Sequence, residues 1–105
     1  MPMLTIAETE VFSGLWPKYW TAEEFGDFCA WLALHPDAGD AISGAGGCRK
    51  VRWSVAGRGK RGGVRVIYVR RLAEGKLWLL FMYSKNVQAD VERKLLKRLQ
   101  EMIDD

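Results

Sequence analysis

The sequence predicts an α+β domain: a small antiparallel β-sheet flanked by an N-terminal helical segment and a C-terminal helix. Three observations carry that prediction. Thr21 and Glu24 form a capping box, and behind them Phe25, Phe28, Cys29 and Leu32 recur at i, i+3, i+4 and i+7, the stripe of an amphipathic helix. From Cys48 the period changes to two, and three successive segments read as strands. Val91, Leu95, Leu99, Met102 and Ile103 then return to the helical period. A length of 105 residues supports one domain, 1–105, with one core. Hydrophobic residues make up 49%, with five Trp, four Phe and three Tyr to fill that core, which excludes an intrinsically disordered chain.

In chain order, Met3 to Ala7 can open as a short strand. Trp16, Pro17, Tyr19 and Trp20 form an aromatic knot that reads as packing ahead of the helix, with a stacking platform as the alternative. The helix ends at His35-Pro36, because the residue before proline is pushed out of the helical region. A short turn or helix around Asp37 to Ile42 leads into Ser43-Gly44-Ala45-Gly46-Gly47, expected to be a flexible loop. In the first strand of the series Val51, Trp53 and Val55 share one side, and Lys50, Arg52 and Ser54 the other. Gly57 to Gly63 is a turn-rich connection, and Val64 to Arg70 the second strand. Ala73-Glu74-Gly75 is a tight turn into the third strand, Lys76 to Ser84. The near-continuous apolar run from Leu77 to Met82 places that third strand centrally, buried on both faces. Asp90 is the expected N-cap of the last helix.

Charge is distributed more tellingly than its net value of +3 suggests. No acid lies between Asp40 and Glu74, while nine of the 16 Lys and Arg residues do. One-signed clustering of that kind points to a polyanionic partner. The opening MPMLTIAETE has no basic segment followed by an apolar run, and the stretch from Leu77 to Tyr83 is too short to cross a bilayer. A cytoplasmic protein without a membrane partner is therefore expected. Cys29 and Cys48 show no metal-binding spacing and are accompanied by a single histidine, so they read as reduced core thiols. Neither a metal nor a cofactor is called for.

Within the basic segment, Gly57-Arg58-Gly59-Lys60-Arg61-Gly62 formally matches GxGxxG, but a strand follows where a dinucleotide fold needs a helix, so that reading is rejected. As a hairpin tip the same residues can grip phosphate, the glycines exposing backbone N–H groups and Arg58, Lys60 and Arg61 supplying cations; the plain alternative is a solvated basic loop. Arg65 sits mid-strand beside Ile67 and Val69, where an unpaired cation is costly. It is either paired to a distant acid or held there to bind an anion. Tyr83-Ser84-Lys85 ends the apolar strand, where polar groups emerge from a core. Tyr83 could stack on a base or donate a proton and Lys85 could contact phosphate, or the segment is an ordinary strand terminus. His35, the only histidine, stands at a helix end away from the basic strands and reads as structural, which excludes a two-histidine nuclease.

These residues resemble the RelE/HigB superfamily of toxins, and within it the HigB-like branch. The likeness runs from about Leu15 to the C-terminal helix. It is carried by Ala38-Gly39-Asp40, Cys48-Arg49-Lys50-Val51-Arg52-Trp53, Gly57-Arg58-Gly59-Lys60, Gly62-Gly63-Val64-Arg65-Val66-Ile67-Tyr68 and Tyr83-Ser84-Lys85-Asn86. The resemblance implies a type II toxin–antitoxin toxin, a ribosome-dependent endoribonuclease that cuts mRNA in the A site by 2′-OH attack without a metal. It implies mRNA and ribosomal RNA as partners, and a helix-turn-helix antitoxin. By position, Arg65 matches the sheet arginine at the scissile phosphate, Arg58 and Lys60 (with Arg61) the basic loop, and Tyr83 and Lys85 the end of the last strand. Arg49, Lys50, Arg52 and Arg61 fall in the RNA-binding segment. Lys60 or Lys85, its pKa lowered by neighbouring cations, could take the 2′-OH proton. Cys48 stands where the family more often has leucine, and Arg61 where it has a small polar residue. A gyrase-poisoning toxin of the ParE kind and a non-catalytic RNA- or DNA-binding module remain as alternatives.

Overall fold

The computed structural model describes residues 4–54, 63–84 and 92–104. Among the described residues it has a five-stranded mixed sheet with three α-helices, an α+β arrangement as expected. The strands are β1 (Thr5–Glu8), β2 (Asp40–Ala41), β3 (Cys48–Ser54), β4 (Gly63–Arg71) and β5 (Lys76–Ser84), in the spatial order β1-β5-β4-β3-β2. The helices are α1 (Glu10–Leu15), α2 (Ala22–Leu34) and α3 (Arg93–Asp104), with 3-10 turns at Trp16–Lys18 and Leu72–Glu74.

Helix α2 starts where its capping box requires: Thr21 Oγ1 accepts from the Glu24 amide, and the Glu24 carboxylate accepts from the Thr21 amide. It stops at His35. Phe28 and Leu32 of its stripe are fully buried, each worth about 1.5–3 kcal/mol of apolar transfer. The aromatic knot packs on the same helix: Trp16 stacks on Phe25 at 4.3 Å and Trp20 lies against Phe28 at 5.0 Å. On this face of the sheet Val51, Val64, Val66, Tyr68, Leu77, Leu79 and Met82 complete one cluster. On the other face Cys48, Ile67, Val69, Leu80 and Tyr83 meet Leu96 and Leu99 of α3. The two free cysteines therefore sit on opposite faces of the sheet and cannot pair without unfolding it.

Both β4 and β5 are covered on both faces, so the expected interior position of β5 holds, although β4 is the middle strand. A register shift between Ile67 and Tyr68 leaves Leu80 as the extra residue on β5 and keeps both clusters in phase.

Five local expectations need correction. The opening strand is Thr5–Glu8 and runs parallel to β5, Ile6 opposite Leu77, where a purely antiparallel sheet was expected. Helix α1 was not foreseen: six residues are too few for a visible period. Thr9 nonetheless caps it by accepting from the Phe12 amide while its hydroxyl donates to the Leu80 carbonyl of β5. Residues 40–41, expected in a turn or helix, form β2 against Arg49 and Lys50 of β3. The glycine loop is pinned, not loose: Ala45 is buried, and Gln100 of α3 donates from Nε2 to its carbonyl at 2.8 Å and to Cys48 Sγ at 3.2 Å. Gly46 (φ +62°) admits that amide because any Cβ would stand 2.9 Å from Gln100 Nε2. Finally, α3 buries Leu96 and Leu99, whereas Met102, assigned to the apolar stripe, is half exposed. Val55, Gly57–Gly62, Asp90 and Val91 lie outside the described residues. No described helix is long and apolar enough to cross a membrane.

Candidate nucleic-acid interface

Alternation along β3 sends Lys50 and Arg52 to the α3 face, while Val51 and Trp53 turn toward α2. The register then decides what Arg52 meets. It lies directly opposite Arg65 on β4, and Arg65 in turn lies opposite Tyr83 on β5. Arg52, Arg65 and Tyr83 thus form one row across three strands, with Lys50 opposite Ile67 one step along the same face. Arg52 is exposed and Arg65 half-buried.

Two arginines directly opposite each other on neighbouring strands repel. Among the described residues no carboxylate lies within ion-pair distance of Arg52 or Arg65. Sequence reading left open whether Arg65 is paired to an acid; among the described residues it has no such partner. The Arg65 guanidinium folds back over Gly63, where an added Cβ would come to 3.0 Å from Nη1. Beside the row opens a cavity of about 470 Å³ lined by Gly39, Asp40, Lys50, Val51, Arg52 and Arg65. Three cations to one acid give this hollow a net positive lining, and an anion placed there would offset the repulsion that the fold leaves standing.

Arg49 goes elsewhere. It points to the α2 face, opposite Tyr68, and donates to the carbonyls of Asp37 (2.8 Å), Gly39 (2.9 Å) and Ala38 (3.3 Å). The Tyr68 hydroxyl shares its proton between the carbonyls of Ala38 (2.7 Å) and Pro36 (3.0 Å). Burial raises the Tyr68 pKa, with Arg49 partly opposing, so the phenol remains a donor. Arg70 pairs with Asp37. Together these bonds clamp residues 36–39 to the sheet and fix one wall of the cationic hollow. Sequence reasoning missed Tyr68, Arg70 and Asp37 in this role, since their separation of some thirty residues leaves no local signal.

Tyr83 was expected to emerge with the strand end, but it is 2% exposed and packs with Leu96 and Leu99, because α3 covers that end of β5. Its ring backs the arginine row from inside. Arg58, Lys60, Arg61 and Lys85 lie outside the described residues. His35 caps α2, exposed, its Nδ1 2.8 Å from the Trp31 carbonyl and its ring stacked on Trp31 at 4.7 Å.

Comparison with known proteins adds two findings. Residues 32–105 match a family model described as the RelE toxin of the RelE/RelB toxin–antitoxin system. The fold is similar to that of E. coli toxin RelE, solved in the free state with two arginines replaced by alanine. That likeness has a TM-score of 0.64 at 12% identity, over 97% of this chain and 99% of the other.

Proposed function

The chain belongs to the RelE toxin family, the toxin half of a toxin–antitoxin pair, and from that premise we propose that it is a ribosome-dependent endoribonuclease that cuts mRNA at the Arg52–Arg65 row. The observation that carries this reading is the pair of cross-strand arginines with no described acid to neutralise them, set in a positively lined hollow. A surface that served only structure would gain by pairing or dispersing those charges.

In the proposed reaction the ribose 2′-oxygen attacks the adjacent phosphorus and the P–O5′ bond breaks, leaving a 2′,3′-cyclic phosphate and a 5′-hydroxyl. Charge accumulates on the non-bridging oxygens in between, and fixed guanidinium donors are suited to stabilise it. Arg65, held half-buried between β3 and β5, is the anchor; Arg52 is the exposed second cation, and Lys50 extends the track for the RNA backbone. Tyr83 supports the anchor from below. Lys60 or Lys85 takes the 2′-OH proton, and the leaving oxygen is protonated by a second cation of the basic loop, among Arg58, Lys60 and Arg61, or by water. A base so weak would suit a reaction in which the ribosome orients the substrate. This chemistry needs no metal or cofactor. The site is cytoplasmic, and a helix-turn-helix antitoxin is the proposed partner, in keeping with a HigB-like place in the family.

Expression in bacteria tests the reading. The wild type is expected to stop growth, and Arg65→Ala to restore it while the purified variant keeps its far-UV CD spectrum. A folded Arg65→Ala protein that is still fully toxic removes Arg65 from the site. Mapping transcript 5′ ends separates codon-phased cutting from gyrase poisoning, which breaks DNA instead.

A further inference from the structure

Next to the cationic hollow lies a second cavity, of about 520 Å³, walled by Trp31, Leu34, His35 and Pro36 and floored by residues 37–39. Gly39 lines both. That shared wall must be a glycine: its φ is +77°, and a Cβ there would stand 2.1 Å from the Lys50 carbonyl oxygen. The residue that the two hollows share therefore contributes backbone alone to both.

We propose that this second cavity is a nucleobase subsite, which receives an unpaired base of the same RNA strand whose phosphate sits on Arg52 and Arg65. The proposal rests on the RNA-cutting reading and names a recognition site within it. Single-stranded RNA is held by pairing a cationic track for the backbone with aromatic or apolar walls for splayed-out bases. Both halves occur here side by side. The volume falls in the range of roughly 300–1,000 Å³ usual for small-ligand clefts. Two rings line it, Trp31 and His35, stacked at 4.7 Å; Trp53 lies against Trp31 at 5.0 Å outside the lining, and His35 is exposed. The His35 orientation is fixed by its contact with the Trp31 carbonyl; a carbonyl only accepts, so Nδ1 carries the proton and Nε2 of the neutral ring is an acceptor. That leaves a polar edge suited to a base amino group beside a stacking face. Leu34, 79% exposed, borders the same cavity and would be covered by a base lying on it. The acid in this cavity, Asp37, is already matched by Arg70, and Arg49 lies over the neighbouring carbonyls, so no uncompensated negative charge repels the strand.

NMR titration of the full-length protein tests the subsite, with a 2′-O-methyl hexaribonucleotide that cannot be cut, and with a series of the same oligomer carrying one abasic position. The intact oligomer is expected to shift the Leu34 methyl, His35 ring and Trp31 indole signals as well as the amides of Arg52 and Arg65. One abasic position should abolish the first set and spare the second. Leu34→Glu, at an exposed position that does not carry the fold, should weaken binding of the intact oligomer about tenfold and that of the abasic oligomer by less, through the added charge alone. If only the Arg52 and Arg65 signals move and Leu34→Glu binds as well as the wild type, the subsite is refuted while the cutting reading stands. If Leu34→Glu keeps RNA binding and toxicity but escapes neutralisation by a co-expressed antitoxin, the cavity belongs to a protein partner and the proposal is overturned. Failure of the cutting reading is distinguishable: Leu34, His35 and Trp31 would respond to the base although Arg65→Ala remained toxic.

Discussion

Arg52 and Arg65 should make the free protein less stable than it could be. They stand directly opposite each other on one sheet face, and among the described residues no carboxylate offsets them. A like-charged cross-strand pair costs about 0.2–1 kcal/mol. Arg52 is the exposed member, so Arg52→Met removes the repulsion, keeps the methylene stem and buries nothing new. A gain of about 0.5 kcal/mol in a domain of this size raises Tm by about 2–4 °C. The effect is electrostatic and should be full at about 0.01 M salt, where the screening length is about 30 Å, and largely gone at about 1 M, where it is about 3 Å. Thermal melts followed by CD at the two salt concentrations measure it. Inorganic phosphate should raise the wild-type Tm more than that of the variant, since an anion in the hollow relieves the same repulsion. A variant that melts lower than wild type in low salt, or a gain indifferent to salt, would show that the arginine pair is not strained and would remove the physical basis for an anion site there.

Three further outcomes follow from the packing around that site. Gln100→Leu leaves the Ala45 carbonyl with only the Cys48 amide at 3.3 Å, so urea unfolding should report a loss of about 1–3 kcal/mol; an unchanged midpoint would mean that the glycine loop is not held by α3. Gly39→Ala should cost at least about 1–3 kcal/mol from its positive φ alone, and the clash with the Lys50 carbonyl should displace β2 and perturb the Lys50 and Arg52 amide signals; a native-like spectrum would contradict the close approach. Burial pushes the Cys29 and Cys48 thiols from 9.0 up to about 11, with Glu8 adding to the first and Arg71 opposing at the second. The unfolded thiols ionise earlier, so the unfolded state binds fewer protons and stability should fall as pH rises from 9 through 11. At about pH 8.5 iodoacetamide should modify both cysteines slowly in the native protein and rapidly in urea, and fast native alkylation would contradict their burial.

Much of the frame was legible because it is written in local periods. The alternation Lys50-Val51-Arg52-Trp53 assigned the correct side chains to the two faces of β3, and the Thr21–Glu24 box marked the start of α2 to the residue. The same logic put Arg65 on a face with Ile67. What was not legible has no local period. Asp40 and Ala41 are poor strand formers and pair only because β3 offers an edge and Gly39 lets the chain come close. Met102 fits a helical stripe on paper, yet the sheet meets α3 along Leu95, Leu96, Leu99 and Ile103.

For the site itself, the sequence by itself determined the ingredients: a run of cations without acids, an arginine in a strand, and a strand whose two sides differ in polarity. Those follow from composition and from the twofold repeat of extended chain, which needs no distant contact. Only the tertiary structure decided that Arg52 faces Arg65, that Tyr83 is sealed beneath α3, and that Arg49, Tyr68 and Arg70 clamp the 36–39 segment beside the hollow. Register between strands and the docking of a helix are set by packing and by closing loops between distant residues. That is why the basic segment reads from sequence as a patch and from structure as a row of opposed charges with a cavity on its flank.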